Sequence, residues 1–214
     1  MDRNHSTRDE RQTYRHGDLR NALINAGLEL VRGGGPDALT LREVTRQVGV
    51  APNAAYRHFK DRAELLACVC SAAQADVARG IEAHLAQVDL TDDPATNARS
   101  RFRAVGLGYL HCAQAEPGVF RAAFGLSGNL SDASSPERSG ASGLTAFQLL
   151  GQTLDELVTA GVLPVDRRPN AEFLAWSAVH GLATLLIDGP LRALPSEAVS
   201  ALELQLVLMV ERGL

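Results

Sequence analysis

The chain is poor in aromatic residues, with one Trp, three Tyr and six Phe among 214 residues. It also lacks any alternating apolar–polar run of the kind that marks a strand. Ala and Leu dominate instead, so the expected fold is all-α. The three cysteines, Cys68, Cys70 and Cys112, are odd in number and lack metal-ligand spacing. That excludes a disulfide framework and fits a reducing cytoplasm. No apolar run is long enough to span a bilayer, and the polar N-terminus does not read as a signal peptide. No HExxH, GxSxG, CxxC or phosphate-loop motif occurs. His111 and Cys112 are adjacent, but neighbours on a helix do not face each other. No catalytic residue, metal ligand set or cofactor is therefore expected.

Hydrophobic content is 45%, ordinary for a globular protein, and the length allows a substantial core. The net charge of −4 argues against indiscriminate nucleic-acid binding. The charge is unevenly spread. Residues 1–62 hold eleven Lys and Arg against eight Asp and Glu, a net +3. Residues 63–214 hold ten against seventeen, a net −7. A basic N-terminal part therefore precedes an acidic remainder.

The basic part contains the most informative segment, TLREVTRQVGVAPNAAYRHFKDRAE, from Thr40 to Glu64. Thr40 and Glu43 have capping-box spacing. Leu41, Val44, Thr45 and Val48 mark one face of a short helix. Gly49 allows a sharp turn, and Pro52 suits the first turn of a second helix. Ala55 and Phe59 can pack inward, which leaves Asn53, Ala54, Tyr56, Arg57 and His58 on the outer surface. Asp61 and Glu64 form another capping pair and start a long helix, expected over residues 61–87. This is the pattern of a helix-turn-helix. Leu19, Leu23, Ala26 and Leu30 mark a preceding amphipathic helix that ends at Gly33-Gly34-Gly35-Pro36.

These residues resemble the TetR family of bacterial transcription regulators. The likeness runs from Tyr14-Arg15-His16-Gly17-Asp18-Leu19-Arg20 through Val48-Gly49-Val50 and Tyr56-Arg57-His58-Phe59 to Glu64-Leu65-Leu66. The chain departs from the family pattern at Ala51, where a capping Ser or Thr is common. It also departs at Thr45 and Val48, where alanines are common, and at Arg62, where Lys is usual. The resemblance implies phosphate contacts for Thr40, Tyr56 and His58. Lys60 and Arg62 can add positive charge beside them. Asn53 and Arg57 have the chemistry to read base edges, Asn pairing with adenine and Arg with guanine. Pro52 and Ala54 offer apolar contact only.

Further along, helices are expected near residues 95–115, 143–160, 170–188 and 196–212, with a short one after Glu116-Pro117-Gly118. Residues 127–142 are rich in Ser and Gly and read as a flexible loop. The helices near 170–188 and 196–212 are apolar on more than one side, so a twin chain is expected to cover them as a four-helix seam. Trp176-Ser177-Ala178-Val179-His180-Gly181 resembles the WHG-type C-terminal domain of one TetR branch, as does Pro117…Phe120…Phe124. The resemblance implies a small-molecule site in this bundle. Its candidate lining is Phe102, Tyr109, Phe120, Phe124, Phe147, Trp176 and His180, which suits an apolar or weakly polar effector.

The expected organisation is a basic arm over residues 1–15, a three-helix DNA-binding unit over 16–62 and a helical effector-binding and dimerisation bundle over 63–214. The expected function is a cytoplasmic homodimeric repressor that binds a near-palindromic DNA operator and is released by a small apolar ligand. A helical enzyme and an effector-independent DNA-binding dimer remain the alternatives.

Overall fold

The computed structural model describes residues 16–125 and 133–214; the basic arm of residues 1–15 lies outside them. The described residues form nine α-helices. These are α1 (His16–Gly34), α2 (Leu41–Val48), α3 (Pro52–Ala55), α4 (Arg62–Leu85), α5 (Pro94–Ala115), α6 (Pro117–Phe124), α7 (Ala146–Thr159), α8 (Ala171–Ile187) and α9 (Ser196–Gly213).

Local chemistry sets the boundaries. The Thr40 hydroxyl accepts from the Glu43 amide at 3.1 Å and caps α2. The return half of the expected capping box is absent, because the Glu43 carboxylate pairs with Arg46 instead. Gly49 ends α2 with φ 75°, and Val50 N donates back to Thr45 O at 3.0 Å. That left-handed position is one an L side chain occupies only with strain. Asp61 caps α4 through the Glu64 amide at 2.9 Å. The Glu64 carboxylate reaches one residue further back than expected, to Lys60 N at 2.7 Å. α7 starts at Ala146 rather than near 143, since Thr145 and Gln148 form a complete capping box there.

Two apolar cores result. One holds Leu23, Val31, Leu39, Val44, Phe59, Leu65 and Val69, all essentially inaccessible. The buried face of α1 centres on Leu23, Gly27 and Val31, a slight rotation from the expected Ala26–Leu30 stripe. The other core lies among α4, α5, α7, α8 and α9, with α5 in contact with each of the other four. The long α4 contributes Leu65 to Ala73 to the first core and Val77 to Ile81 to the second.

The short α6 joins the two cores. Val119, Ala122 and Ala123 belong to the first, and Phe120 to the second. Phe124 packs against both. The first turn of α6 rests on the last turn of α1. A Cβ on Gly118 would lie 2.6 Å from Arg32 O and closer still to Val31 O. Arg32 straps the junction by donating to Glu116 at 2.8 Å. Both side chains are partly exposed, so this pair adds little beyond ~1 kcal/mol.

The backbone carbonyls facing Gly118 cannot move aside as a side-chain tip can. Gly118→Ala should destabilise the chain by about 1–3 kcal/mol. Gly33→Ala is its control: a Cβ there meets nothing within 4 Å. That helical position should be neutral or gain up to about 1 kcal/mol. Chemical denaturation of the two variants checks both expectations, and equal stabilities would contradict the close approach.

Candidate functional site

Two features of the fold have chemistry to offer, an outward polar face on α2 and α3 and a cavity in the second core. The polar face hangs on buried anchors. Ala55 and Phe59 are buried and hold the α3 segment against α1 and α4. The Arg20 guanidinium lies 5.3 Å from the centre of the Phe59 ring and donates to Cys68 Sγ at 3.1 Å. Thr45, also buried, returns its hydroxyl to Leu41 O at 2.9 Å, so α2 presents no unmet polar group to the core.

The helical part of α3 is shorter than the sequence suggests. It ends at Ala55, and tight turns carry the chain through His58 to Phe59. Ala51 has no side-chain oxygen to cap its amides, so the segment is held by packing instead. Pro52, Asn53, Tyr56, Arg57 and Lys60 are exposed, with Tyr56 at 57%. Ala54 and His58 are half-buried at the edge of the same face, and Thr40 is exposed at the start of α2. Arg62 has a different partner set. Its guanidinium donates to Leu39 O at 2.6 Å and Pro36 O at 2.8 Å, which ties the α1–α2 connection to α4.

The cavity has a volume of about 490 Å³ and is lined mainly by apolar side chains. Phe102, Tyr109, Phe124, Phe147, Trp176 and His180 all face it. Phe120 stands behind this lining, edge-on to Tyr109 with ring centres 5.4 Å apart. Sequence reasoning missed Gln74 and Ile81 from α4, Val207 from α9, and Arg138 and Thr145 from the connection before α7. Only Thr145 carried a legible signal, its Thr-x-x-Gln spacing to Gln148. Gln74 donates to Ala123 O at 2.6 Å, so α4 and α6 meet at the cavity wall.

The connection before α7 also corrects an expectation. Residues 127–142 read as a flexible loop, yet the described part, from 133 onward, is tied down. Pro136–Arg138 forms a 3-10 turn, and Ser139 bridges to Thr145. The Glu82 carboxylate of α4 accepts from Ala141 N at 2.8 Å, from Ser142 N at 2.9 Å and from the Ser142 hydroxyl. Burial pushes the Glu82 carboxyl up, but these hydrogen bonds outweigh it and hold the group below the usual range. Ser and Gly in this segment serve the turn around a carboxylate, which composition alone does not reveal.

Among the described residues no helix is long and apolar enough to cross a membrane, and no group of three or more His, Cys, Asp or Glu could hold a metal. A family model for bacterial regulatory proteins, tetR family, matches residues 23–69. A second, for the Tetracyclin repressor-like C-terminal domain, matches residues 102–209. A comparison with curated proteins finds no match. Among solved structures, a protein of unknown function from Rhodococcus sp. RHA1 is similar over 95% of this chain and 98% of its own, at 26% identity and a TM-score of 0.70. A TetR-family transcriptional regulator from Pectobacterium atrosepticum is similar over 93% of both chains, at 21% identity and a TM-score of 0.61. A TetR variant from Acinetobacter baumannii AYE, in complex with minocycline, is similar over 90% of this chain and 94% of its own, at 18% identity and a TM-score of 0.56.

Removing the Glu82 latch should loosen the cavity wall without touching its lining. Glu82→Ala should cost about 1–3 kcal/mol at neutral pH and speed hydrogen exchange at the Ala141 and Ser142 amides. Because the folded-state pKa is depressed, the latch contributes above the ordinary carboxylate range and fades as pH falls through the lower folded value. The stability gap between wild type and variant should therefore close on acidification. A gap independent of pH would show that the carboxylate charge is not what holds the turn.

Proposed function

The chain belongs to the TetR family of bacterial regulatory proteins, and from that premise we propose that it is a dimeric repressor released from its operator by a small, mainly apolar effector. It is a helix-turn-helix, DNA-binding transcription regulator rather than an enzyme. Its C-terminal Trp…His-Gly signature is consistent with the WHG-type branch. We assign residues 16–62 to DNA binding, with the basic arm of residues 1–15 before them, and residues 63–214 to effector binding and dimerisation.

The exposed face of Asn53, Tyr56, Arg57 and Lys60 supports the DNA reading. Asn53 and Arg57 are assigned to base edges, where their planar groups can make paired hydrogen bonds. Thr40, Tyr56, His58 and Lys60 are assigned to phosphates, with Pro52 and Ala54 in apolar contact. Arg62, held by two backbone carbonyls, contributes mainly its charge. The dimer reading is supported by apolar side chains left in water on α8 and α9: Leu174 and Met209 are 65% and 60% exposed, and Leu185 and Leu204 follow. A second copy would cover them, with two recognition segments about 34–36 Å apart on successive major grooves.

The single observation that carries the release mechanism is the shared wall of the cavity. Gln74 of α4 and Ala123 and Phe124 of α6 face the cavity, while both helices also build the first core. A ligand that needs more room must move one of these helices, and α6 bears directly on α1 through Gly118. Displacing α1 and α4 alters the spacing of the two DNA-binding units. The ligand acts only through its preference for the displaced state; a switch from 1:99 to 99:1 needs about 5.5 kcal/mol of preference. Operator DNA must weaken ligand binding by the same factor.

Genomic selection with the purified chain should enrich an inverted repeat, and light scattering should report a dimer at micromolar concentration. Asn53→Ala or Arg57→Ala should cost about 1–3 kcal/mol on that site and relax one position. Lys60→Ala should weaken cognate and scrambled DNA alike and lower the salt slope by about one. An unchanged site preference in both Asn53→Ala and Arg57→Ala would overturn the assignment of the reading face. Equal ligand affinity for free and DNA-bound protein would overturn the release mechanism.

A further inference from the structure

Trp176, Tyr109 and His180 form a hydrogen-bonded row along the cavity. Trp176 Nε1 lies 3.2 Å from the Tyr109 hydroxyl, and that hydroxyl lies 2.8 Å from His180 Nδ1. An indole N–H can only donate, so Tyr109 accepts from Trp176. The phenol has one proton to give, and His180 Nδ1 is its only acceptor among the described residues. Tyr109 is 4% exposed, with the rings of Phe120 and Phe124 centred 5.4 and 5.6 Å away. Reversing the row would leave the phenol proton buried without an acceptor, which is costly. The row therefore runs from Trp176 through Tyr109 to His180, and Nδ1 is the bare nitrogen. Burial lowers the His180 pKa, which keeps the ring neutral.

A neutral imidazole with a bare Nδ1 carries its proton on Nε2. Among the described residues nothing accepts from that N–H, and the His180 side chain is half-buried rather than enclosed. The ring itself lines the cavity. Of the other polar groups there, the Thr145 hydroxyl donates to Ala133 O at 2.7 Å and the Gln74 amide nitrogen to Ala123 O, while Ser177 is exposed at the rim. Arg138 has interactions of its own. Among the described residues no Asp or Glu lines the cavity, so a cationic ligand would meet no counter-charge from them.

Resting on the reading of this cavity as the effector site, we propose that the effector is an apolar molecule bearing an uncharged hydrogen-bond acceptor, a carbonyl or ether oxygen, recognised by His180 Nε2–H. His180 is then the specificity-determining residue, and Tyr109 and Trp176 are positioning residues that fix its tautomer. A ligand of the same shape without the acceptor leaves the N–H dry and unmet, and is discriminated against.

The test compares acetophenone with α-methylstyrene, which replaces the carbonyl oxygen by a CH₂ group of similar shape. Both are titrated calorimetrically into the full chain without DNA. The ketone-to-alkene affinity ratio should be about tenfold higher in wild type than in His180→Phe. An unchanged ratio, with both molecules bound, overturns the proposal and leaves the effector site standing. Binding of neither at millimolar concentration overturns the effector-site reading, and the proposal with it. Nitrogen NMR of imidazole-labelled wild type needs no variant: the Nε2–H tautomer at neutral pH supports the proposal, and the Nδ1–H tautomer overturns it.

Discussion

The first turn of α6 lies on the carbonyls of Val31 and Arg32 with no side chain between, and the geometry of the whole molecule depends on that contact. Any residue larger than glycine at position 118 would push the two helices apart. With the contact made, Val119, Ala122 and Ala123 fill the core of the helix-turn-helix, while Phe120 and Phe124 reach the core of the bundle. Close-packed interiors transmit displacement rather than absorb it. A shift of α6 is therefore felt at α1, and through α1 at the packing of α2 and α3. The long α4 runs parallel to this route and shares both cores, so the two parts of the chain are joined twice.

The cavity sits where these routes meet. Its lining is mainly apolar with a small number of polar groups, the composition of small-molecule sites in general. Its outer wall, from residue 133 to Thr145, is latched to α4 by Glu82. The bundle is braced elsewhere by ion pairs, with Glu211 of α9 buried between Arg99 and Arg103 of α5. Burial raises the Glu211 pKa, but the two guanidinium groups more than offset it. These braces hold the far end of the bundle, while α6 is tied by charge through Arg121 to Asp188 and through Glu116 to Arg32.

The helix-turn-helix was legible residue by residue because its determinants are local. Thr40 and Asp61 accept from amides three residues on, Gly49 and Pro52 set their own backbone angles, and Ala55 and Phe59 declare their inward face by one-turn spacing. The return halves of both capping boxes were misread for the same reason in reverse. Glu43 met a stronger partner in Arg46, and Glu64 found the Lys60 amide, choices made by side-chain geometry that spacing does not encode. Arg62 read as a free cation until its carbonyl partners, more than twenty residues away, were seen.

The cavity was half legible. Six of the seven residues expected to line it do so, because aromatic side chains in an aromatic-poor bundle have few other places to gather. Phe120 differs only in standing one layer behind. Gln74, Arg138 and Thr145 were not foreseen, since their place in the wall depends on α4, α6 and the connection before α7 converging in space. The sequence by itself determined the helix-turn-helix pattern, the cap residues Thr40 and Asp61 and the family, all of which follow from interactions within a few turns. Only the tertiary structure decided that Gly118 seats α6 on α1, that Glu82 gathers a Ser-rich turn, and that Trp176 and Tyr109 fix the proton on His180. Each of those joins residues 59 or more positions apart, and such contacts are selected by packing, which no local pattern records.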